Sequence, residues 1–280
     1  ATADPAPPPN SLDAILAAAP ASAWRDIPQD RLVYLTLPQG RVIFETAPRF
    51  APNHVANLRK LAAAHFFDGL FVVRVQDDYV TQWGDAAADR PRGGAAARLA
   101  AEFDHPYGSD EPFTPLPDPD TYAPETGFTD GFPVARDPLS GRAWLTHCYG
   151  MVGAGRDLAA DSGNAGELYA VIGQAPRQLD RNVTLLGRVV QGMEYLSSLP
   201  RGHGDLGFYE KPEMRTKIIG LAFGDQLPAA EQVHLQALRT DTPAFAALLH
   251  NRRYRQDAFY KTPAGRIDVC NLPLPVREAK

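Results

Sequence analysis

The sequence predicts a mainly β protein built as an antiparallel barrel. Three observations carry this prediction. Segments rich in β-branched and aromatic residues recur at regular spacing between residues 31 and 223. Only two segments with helical periodicity interrupt them, and strands do not alternate with helices as they do in a parallel sheet.

The elements can be assigned in order along the chain. A turn at Pro38–Gly40 separates two strand-like segments, so residues 31–46 predict a hairpin. Pro52 begins a helix that extends to about His65, because apolar residues recur there at helical spacing. Further strands are predicted at residues 70–75, 79–82, 148–154, 167–172, 185–190 and 217–223, with a second helix at 192–199.

Composition divides the chain into a central domain with flanking segments. Residues 1–25 form a Pro/Ala-rich leader that ends in a short helix capped by Ser11, and residues 26–225 form the domain. Within the domain, residues 86–145 are rich in Pro, Gly and Asp and predict a long loop, where only Ala101–Phe103 resembles a strand. Residues 226–280 predict a helical extension, with helices at 231–238 and 244–254.

Composition and charge exclude several classes of protein. The chain has 280 residues, of which 44% are hydrophobic and 22% charged, which is typical of a protein with a packed core. A net charge of −5 argues against nucleic acid as a partner, since binding to a duplex requires a basic surface. The apolar runs are far shorter than the ~20 residues of a membrane-spanning helix, so no transmembrane segment is expected.

The start of the chain bears on localisation. It begins Ala-Thr-Ala-Asp and continues into a Pro-rich run, which is typical of a mature protein after removal of a signal peptide. We therefore expect a periplasmic or secreted protein, with an arbitrary chain boundary as the alternative. Cys148 and Cys270 fit either compartment, and the count of two cysteines decides nothing by itself.

Residues 67–85 contain the most informative motif. They begin Phe-Asp-Gly, place Arg74 eight positions before Gln82, and end in Gly-Asp. Residues 51–58 and 179–189 supply further segments in the same order. Together these segments resemble the signature of cyclophilin-type peptidyl-prolyl cis-trans isomerases, in particular an exported bacterial branch, over roughly residues 31–224.

The resemblance implies both a fold and an activity. The fold is a closed antiparallel barrel of about eight strands with two capping helices. The activity is peptidyl-prolyl cis-trans isomerisation, which would assist the folding of exported proteins and act on proline-containing polypeptide clients. It requires no cofactor and no metal, because rotation about an X-Pro bond breaks no covalent bond.

The motif positions imply roles for individual residues. Arg74 would donate a hydrogen bond to the prolyl nitrogen as the amide twists, and Gln82 would hold the guanidinium or the substrate carbonyl. An arginine within the apolar run Val-Val-Arg-Val is costly unless it is paired or used. Taken singly, the pocket residues Tyr79, Val80, Tyr169 and Leu179 would each more often be core residues than binding residues. The resemblance nevertheless implies a substrate-binding set. That set is Tyr79, Val80, Gly155, Arg156, Tyr169, Gln178, Leu179 and Val183.

Departures from the family pattern leave a second function open. Val73 replaces a histidine of the signature, Gln178 replaces a loop tryptophan, and Val183 replaces the histidine beside the pocket. These changes would reshape the pocket and weaken the grip on peptides and on cyclosporin-like macrocycles. The alternative is a catalytically weak chaperone or proline-peptide binding module.

Other motifs predict less. The glycines between residues 150 and 155 are not followed by the long helix of a nucleotide site, and the seven histidines lack metal-ligand spacing. The adjacent His147 and Cys148 would point to opposite faces of a strand, which does not suit a thiol protease. A disulfide between Cys148 and Cys270 would staple the extension to the barrel. It would close a loop worth ~4–5 kcal/mol in the chain-entropy model.

Overall fold

The structure is a computed structural model that describes residues 11–279. The leader predicted at residues 1–10 lies outside the described residues. The helices are α1 (Leu12–Ala18), α2 (Pro52–Ala63), α3 (Glu194–Ser197) and α4 (Pro243–Tyr254). The strands are β1 (Trp24–Asp26), β2 (Leu32–Leu37), β3 (Gly40–Thr46), β4 (Phe71–Val75), β5 (Val80–Gly84), β6 (His105–Pro106), β7 (Thr114–Pro115), β8 (Glu125–Thr129), β9 (Phe132–Asp137), β10 (Arg142–Leu145), β11 (Met151–Ala154), β12 (Glu167–Val171), β13 (Leu185–Gln191), β14 (Gly220–Phe223), β15 (Leu235–Leu238) and β16 (Val276–Glu278).

The barrel is one antiparallel sheet of eight strands. Its order is β14-β2-β3-β13-β11-β12-β5-β4. The two edges of the sheet meet, because the backbone of residues 69–72 exchanges hydrogen bonds of 2.7–2.9 Å with residues 216–218, just before β14. The predicted mainly β fold and its hairpin at residues 31–46 are confirmed.

The helices at the barrel differ in length from the predicted ones. Helix α2 begins at Pro52 as expected and buries Leu58 and Leu61 in the barrel core. The second helix is only the single turn α3, shorter than the predicted residues 192–199. Its neighbours Gly192 and Pro200 explain this, since glycine in a left-handed conformation and proline both limit helix extension.

The prediction of a long loop at residues 86–145, with a short strand only at Ala101–Phe103, is wrong. This insertion contains a second antiparallel sheet, in the order β6-β10-β9-β8-β7, while Ala101–Phe103 forms no strand. Asp130 and Gly131 form the two-residue turn between β8 and β9, both with positive φ, which is the conformation that an Asp-Gly hairpin turn requires. Two of the strands are only two residues long and end in proline, so they carry little sequence signal.

The extension is also less helical than predicted. Helix α4 forms as expected, with Thr242 as its N-cap and Pro243 in its first turn. The helix predicted at 231–238 is instead a short helical turn followed by strand β15. Strand β15 lies between β1 and β16 in a three-stranded sheet, and this pairing overrides the local helical periodicity.

A second hydrophobic core joins the insertion to the extension. Phe128 of β8 packs edge-on against Phe245 of α4, with ring centroids 5.0 Å apart. Cys148 and Cys270 form a disulfide across 122 positions, which confirms the predicted bond. Cys148 lies in the segment before β11 rather than on the strand predicted at residues 148–154. Within residues 11–279, no helix is long and apolar enough to cross a membrane.

Candidate active site

A groove of about 790 Å³ lies on the barrel wall beside β4, β5 and β12. Every residue that the sequence predicts for the site lines this groove, except Gln178. Gln178 is exposed on the helical turn Arg177–Leu179. The predicted members that line it are Arg74, Tyr79, Val80, Gln82, Gly155, Arg156, Tyr169, Leu179 and Val183. Asp157, Leu158 and Ala159 complete the lining as a loop that follows β11.

Arg74 occupies a fixed position at one side of the groove. Strand pairing places it directly opposite Gln82, and its Nη1 donates to Gln82 Oε1 at 3.1 Å. Its Nε donates to the Leu206 carbonyl and its Nη2 to the side chain of Gln76. Burial lowers the pKa of the half-buried Arg74 guanidinium, which has no carboxylate partner within residues 11–279.

Two aromatic rings flank this guanidinium. The Arg74 Cζ lies 5.4 Å from the centroid of Tyr79 and 5.5 Å from that of Phe208. Both distances are within the range of a cation–π contact. The rings limit the sideways movement of the guanidinium and shield it from water, which strengthens its interaction with a bound group.

Glu167 fixes the orientation of Gln82. The Gln82 Nε2 donates to Glu167 Oε1, and a carboxylate can only accept. The amide oxygen of Gln82 is therefore the atom that faces Arg74. Burial raises the pKa of the Glu167 carboxyl, so it takes up a proton at a higher pH than an exposed glutamate.

The floor of the groove is apolar. Val80, Tyr169 and Val171 form a small buried cluster, against which Tyr79 and Val183 pack. The Tyr169 hydroxyl points away from the opening and lies 2.9 Å from His147 Nε2. This surface can accept a small aliphatic ring and exclude water from it.

Arg156, in the loop after β11, also lines the groove. Its Nε donates to the Asn182 carbonyl at 2.9 Å and its Nη1 to the Asp157 carbonyl at 2.7 Å. The neighbouring Leu158 is fully exposed at the edge of the groove.

Sequence reasoning missed several residues of the site. Leu206 and Phe208 reach Arg74 from a loop more than 130 positions along the chain, and no local pattern identifies such residues. Glu167 does have a signal, because it lies two positions before Tyr169 on the same strand and therefore on the same face.

Comparison with known proteins assigns the family. The family model described as cyclophilin type peptidyl-prolyl cis-trans isomerase/CLD matches residues 32–221. Probable peptidyl-prolyl cis-trans isomerases of Brucella abortus and Brucella suis are 26% identical over 174 residues, which is 62% of this chain and 73% of theirs.

A solved structure resembles nearly the whole chain. The crystal structure of cyclophilin AquaCyp293 from Hirschia baltica matches with a TM-score of 0.75 at 26% identity, covering 96% of this chain and 97% of that one. The match therefore includes the insertion and the extension as well as the barrel. With the family model spanning more than half of the sequence, the chain belongs to the cyclophilin-type peptidyl-prolyl cis-trans isomerases.

Proposed function

We propose that the groove catalyses cis/trans isomerisation of X-Pro bonds, with Arg74 as the catalytic residue. The observation that carries this proposal is a guanidinium held by three hydrogen bonds at the side of an apolar groove, without a carboxylate partner among the described residues. A structural arginine in such a position would be expected to pair with an acid.

The chemistry follows from the amide. Resonance gives the X-Pro bond a rotation barrier of ~18–20 kcal/mol, and the twisted state localises a lone pair on the prolyl nitrogen. A preorganised guanidinium donor stabilises that lone pair and therefore favours the twisted state over both planar ground states. The Val80 and Tyr169 surface would hold the prolyl ring and exclude the water that stabilises the planar amide.

An exchange measurement tests the activity directly. The protein is added to a short proline peptide in substoichiometric amount, and the cis/trans exchange rate is followed by NMR. We expect exchange far faster than the uncatalysed tens to hundreds of seconds. Peptide binding with an unchanged exchange rate would reject catalysis and support the binding-module alternative.

Tyr79→Ala should weaken peptide binding more than it slows the bound-state rotation. The substitution removes the aromatic wall beside Arg74 but leaves the guanidinium and its hydrogen bonds to Gln82 and Gln76. We expect a dissociation constant about 5- to 10-fold higher by NMR titration, which corresponds to partial loss of one apolar contact surface. The exposed Tyr149, which does not line the groove, is the control, and Tyr149→Ala should bind as the wild type does. Equal affinities for the Tyr79 variant and the wild type would contradict this role.

We further propose that the clients are exported polypeptides and that the protein works in the periplasm or outside the cell. The Cys148–Cys270 disulfide supports this, because disulfides persist in oxidising compartments. Protein taken from producing cells by acid quench should gain no alkyl groups without reduction and two after reduction, as measured by intact mass. Two alkylated thiols without reduction would place the chain in a reducing compartment.

A further inference from the structure

A buried hydrogen-bond chain leads from the groove into the insertion. The Tyr169 hydroxyl contacts His147 Nε2, and His147 Nδ1 lies 2.9 Å from Asp180 Oδ1. The second oxygen of Asp180 accepts from Arg177 Nε at 2.6 Å. Arg177 then donates through both terminal nitrogens to Asp120, at 2.8 and 3.0 Å. Every member except Tyr169 lies outside the lining of the groove.

The Asp180 carboxylate determines the direction of the hydrogen bonds that His147 and Tyr169 make. Because the Asp180 carboxylate only accepts, the Nδ1 of His147 carries the hydrogen and donates it. In the neutral imidazole the Nε2 is then an acceptor, so the Tyr169 hydroxyl donates to it. The backbone N–H of His147 donates to the same Asp180 oxygen, which holds the imidazole in place.

The hydrogen-bonded residues are buried, which restricts their movement. His147 has no exposed surface, and the side chains of Arg177 and Asp120 are each only 3% exposed. Burial alone would raise the pKa of Asp120, but the hydrogen bonds from Arg177 outweigh it and hold the pKa below its usual value. The Asp120 carboxylate therefore stays charged and paired at neutral pH.

The series of hydrogen bonds matters because the Tyr169 ring is tightly packed and its hydroxyl has one acceptor, His147 Nε2. A Cβ at Gly153, its cross-strand neighbour, would lie 2.3 Å from the Tyr169 hydroxyl oxygen, so only glycine there admits the ring in this position. His147 supplies the matching acceptor behind the ring. Asp120 lies in the loop between β7 and β8 of the insertion, outside the barrel.

We propose that His147, Asp180, Arg177 and Asp120 are positioning residues that fix the Tyr169 wall, so that the insertion determines how tightly the groove binds a prolyl ring. The inference rests on the proposed function of the groove as a proline-peptide site. It assigns the insertion a role in substrate binding through one continuous set of buried contacts. If Asp120 no longer pairs with Arg177, Arg177 can move and Asp180 can shift away from His147. The Tyr169 hydroxyl then lacks a fixed acceptor.

The test compares two aspartates from the same loop. Asp118 and Asp120 each accept two hydrogen bonds from an arginine, but Asp118 pairs with Arg253 of α4, and no hydrogen bond within residues 11–279 links that pair to the groove. Asp120→Asn should raise the peptide dissociation constant about 3- to 10-fold, the range that contact networks of this kind transmit. Asp118→Asn should leave it within 2-fold of the wild type. NMR titration with a short proline peptide measures both.

A double variant that combines Tyr169→Phe with Asp120→Asn distinguishes a positioning role from general destabilisation. In Tyr169→Phe the hydroxyl is absent, so adding Asp120→Asn should cause no further loss of peptide affinity. An additive loss, an equal effect from Asp118→Asn, or no effect of Asp120→Asn on binding would each overturn the proposal. Titration reports binding whether or not the bound peptide is isomerised, so failure of catalysis is seen separately in the exchange rate.

The wild-type protein supplies a measurement that needs no variant. In the neutral form of the His147 ring, the ¹⁵N imidazole shifts should show hydrogen on Nδ1 and a bare Nε2. Its Nε2 shift should move in Asp120→Asn and stay unchanged in Asp118→Asn. A neutral His147 ring with its hydrogen on Nε2 would overturn the assignment, because Tyr169 could then not donate to it.

Discussion

Arg74→Ala is expected to reduce catalysed cis/trans exchange by about 10²–10³-fold, the usual loss for removing one preorganised electrostatic donor. The barrel should remain folded, because the side chain faces the open groove and pairs with no buried acid among the described residues. Arg74→Lys should be nearly as impaired. An ammonium cannot supply the planar fork that reaches Gln82 and a substrate nitrogen together.

The control for this prediction is a surface arginine. Arg49 pairs with Asp130 outside the groove, so Arg49→Ala should keep wild-type exchange. Circular dichroism and thermal melting confirm that each variant is folded, and NMR exchange measures the rate. A folded Arg74→Ala protein with wild-type turnover would exclude Arg74 from the mechanism. Uncatalysed exchange rates in both the wild type and Arg74→Ala would favour the binding module.

Truncation after residue 225 should unfold the second core and cause aggregation. The lost segment contributes to this core five large or medium apolar side chains that are at most 5% exposed: Leu238, Phe245, Leu248, Val269 and Leu272. At about 1.5–3 kcal/mol for each buried side chain, the loss is on the order of 10 kcal/mol, which matches the whole stability of a typical domain. Strand β1 also loses its pairing partner β15. A truncated protein that stays monomeric and melts at the wild-type temperature would contradict this.

Two phenylalanines of the extension provide a matched pair for the same prediction. Phe245 is 1% exposed and packs on Phe128, whereas Phe259 is 80% exposed. Phe245→Ala should lower the free energy of unfolding by about 3–5 kcal/mol, and Phe259→Ala should change it by no more than about 0.5 kcal/mol. Denaturant titration measures both values.

The barrel and the centre of the site could be predicted because their signals are local. Strands β2 to β5 carry β-branched and aromatic residues, and Arg74 and Gln82 belong to one short motif whose spacing puts them on adjacent strands. Tyr79 and Val80 of the groove lining belong to the same motif, so these features depend on residues that are close in sequence. The more distant lining residues, which lie between Gly155 and Val183, were implied only by the family resemblance.

The remaining features depend on distant partners. Strand β15 has the periodicity of a helix but pairs with β1, where Asp26 and Gln236 are 210 positions apart. The hydrogen bond between His147 and Tyr169 joins residues that no motif connects. The insertion is the exception, since its Asp-Gly turn was a usable hairpin signal that the abundance of proline and glycine around it concealed.

The composition of the second core sets a constraint on how the chain folds as it is made. This core joins α1 near the start of the described chain, the strands of the insertion, and residues up to Leu274. The apolar face of the inserted sheet therefore cannot be fully covered until the residues of the extension up to Leu274 are present. Long-range contacts of this kind slow folding and prolong the exposure of apolar surface, which favours aggregation. We therefore expect the newly made protein to depend on the chaperones of its compartment until the extension has packed against the insertion.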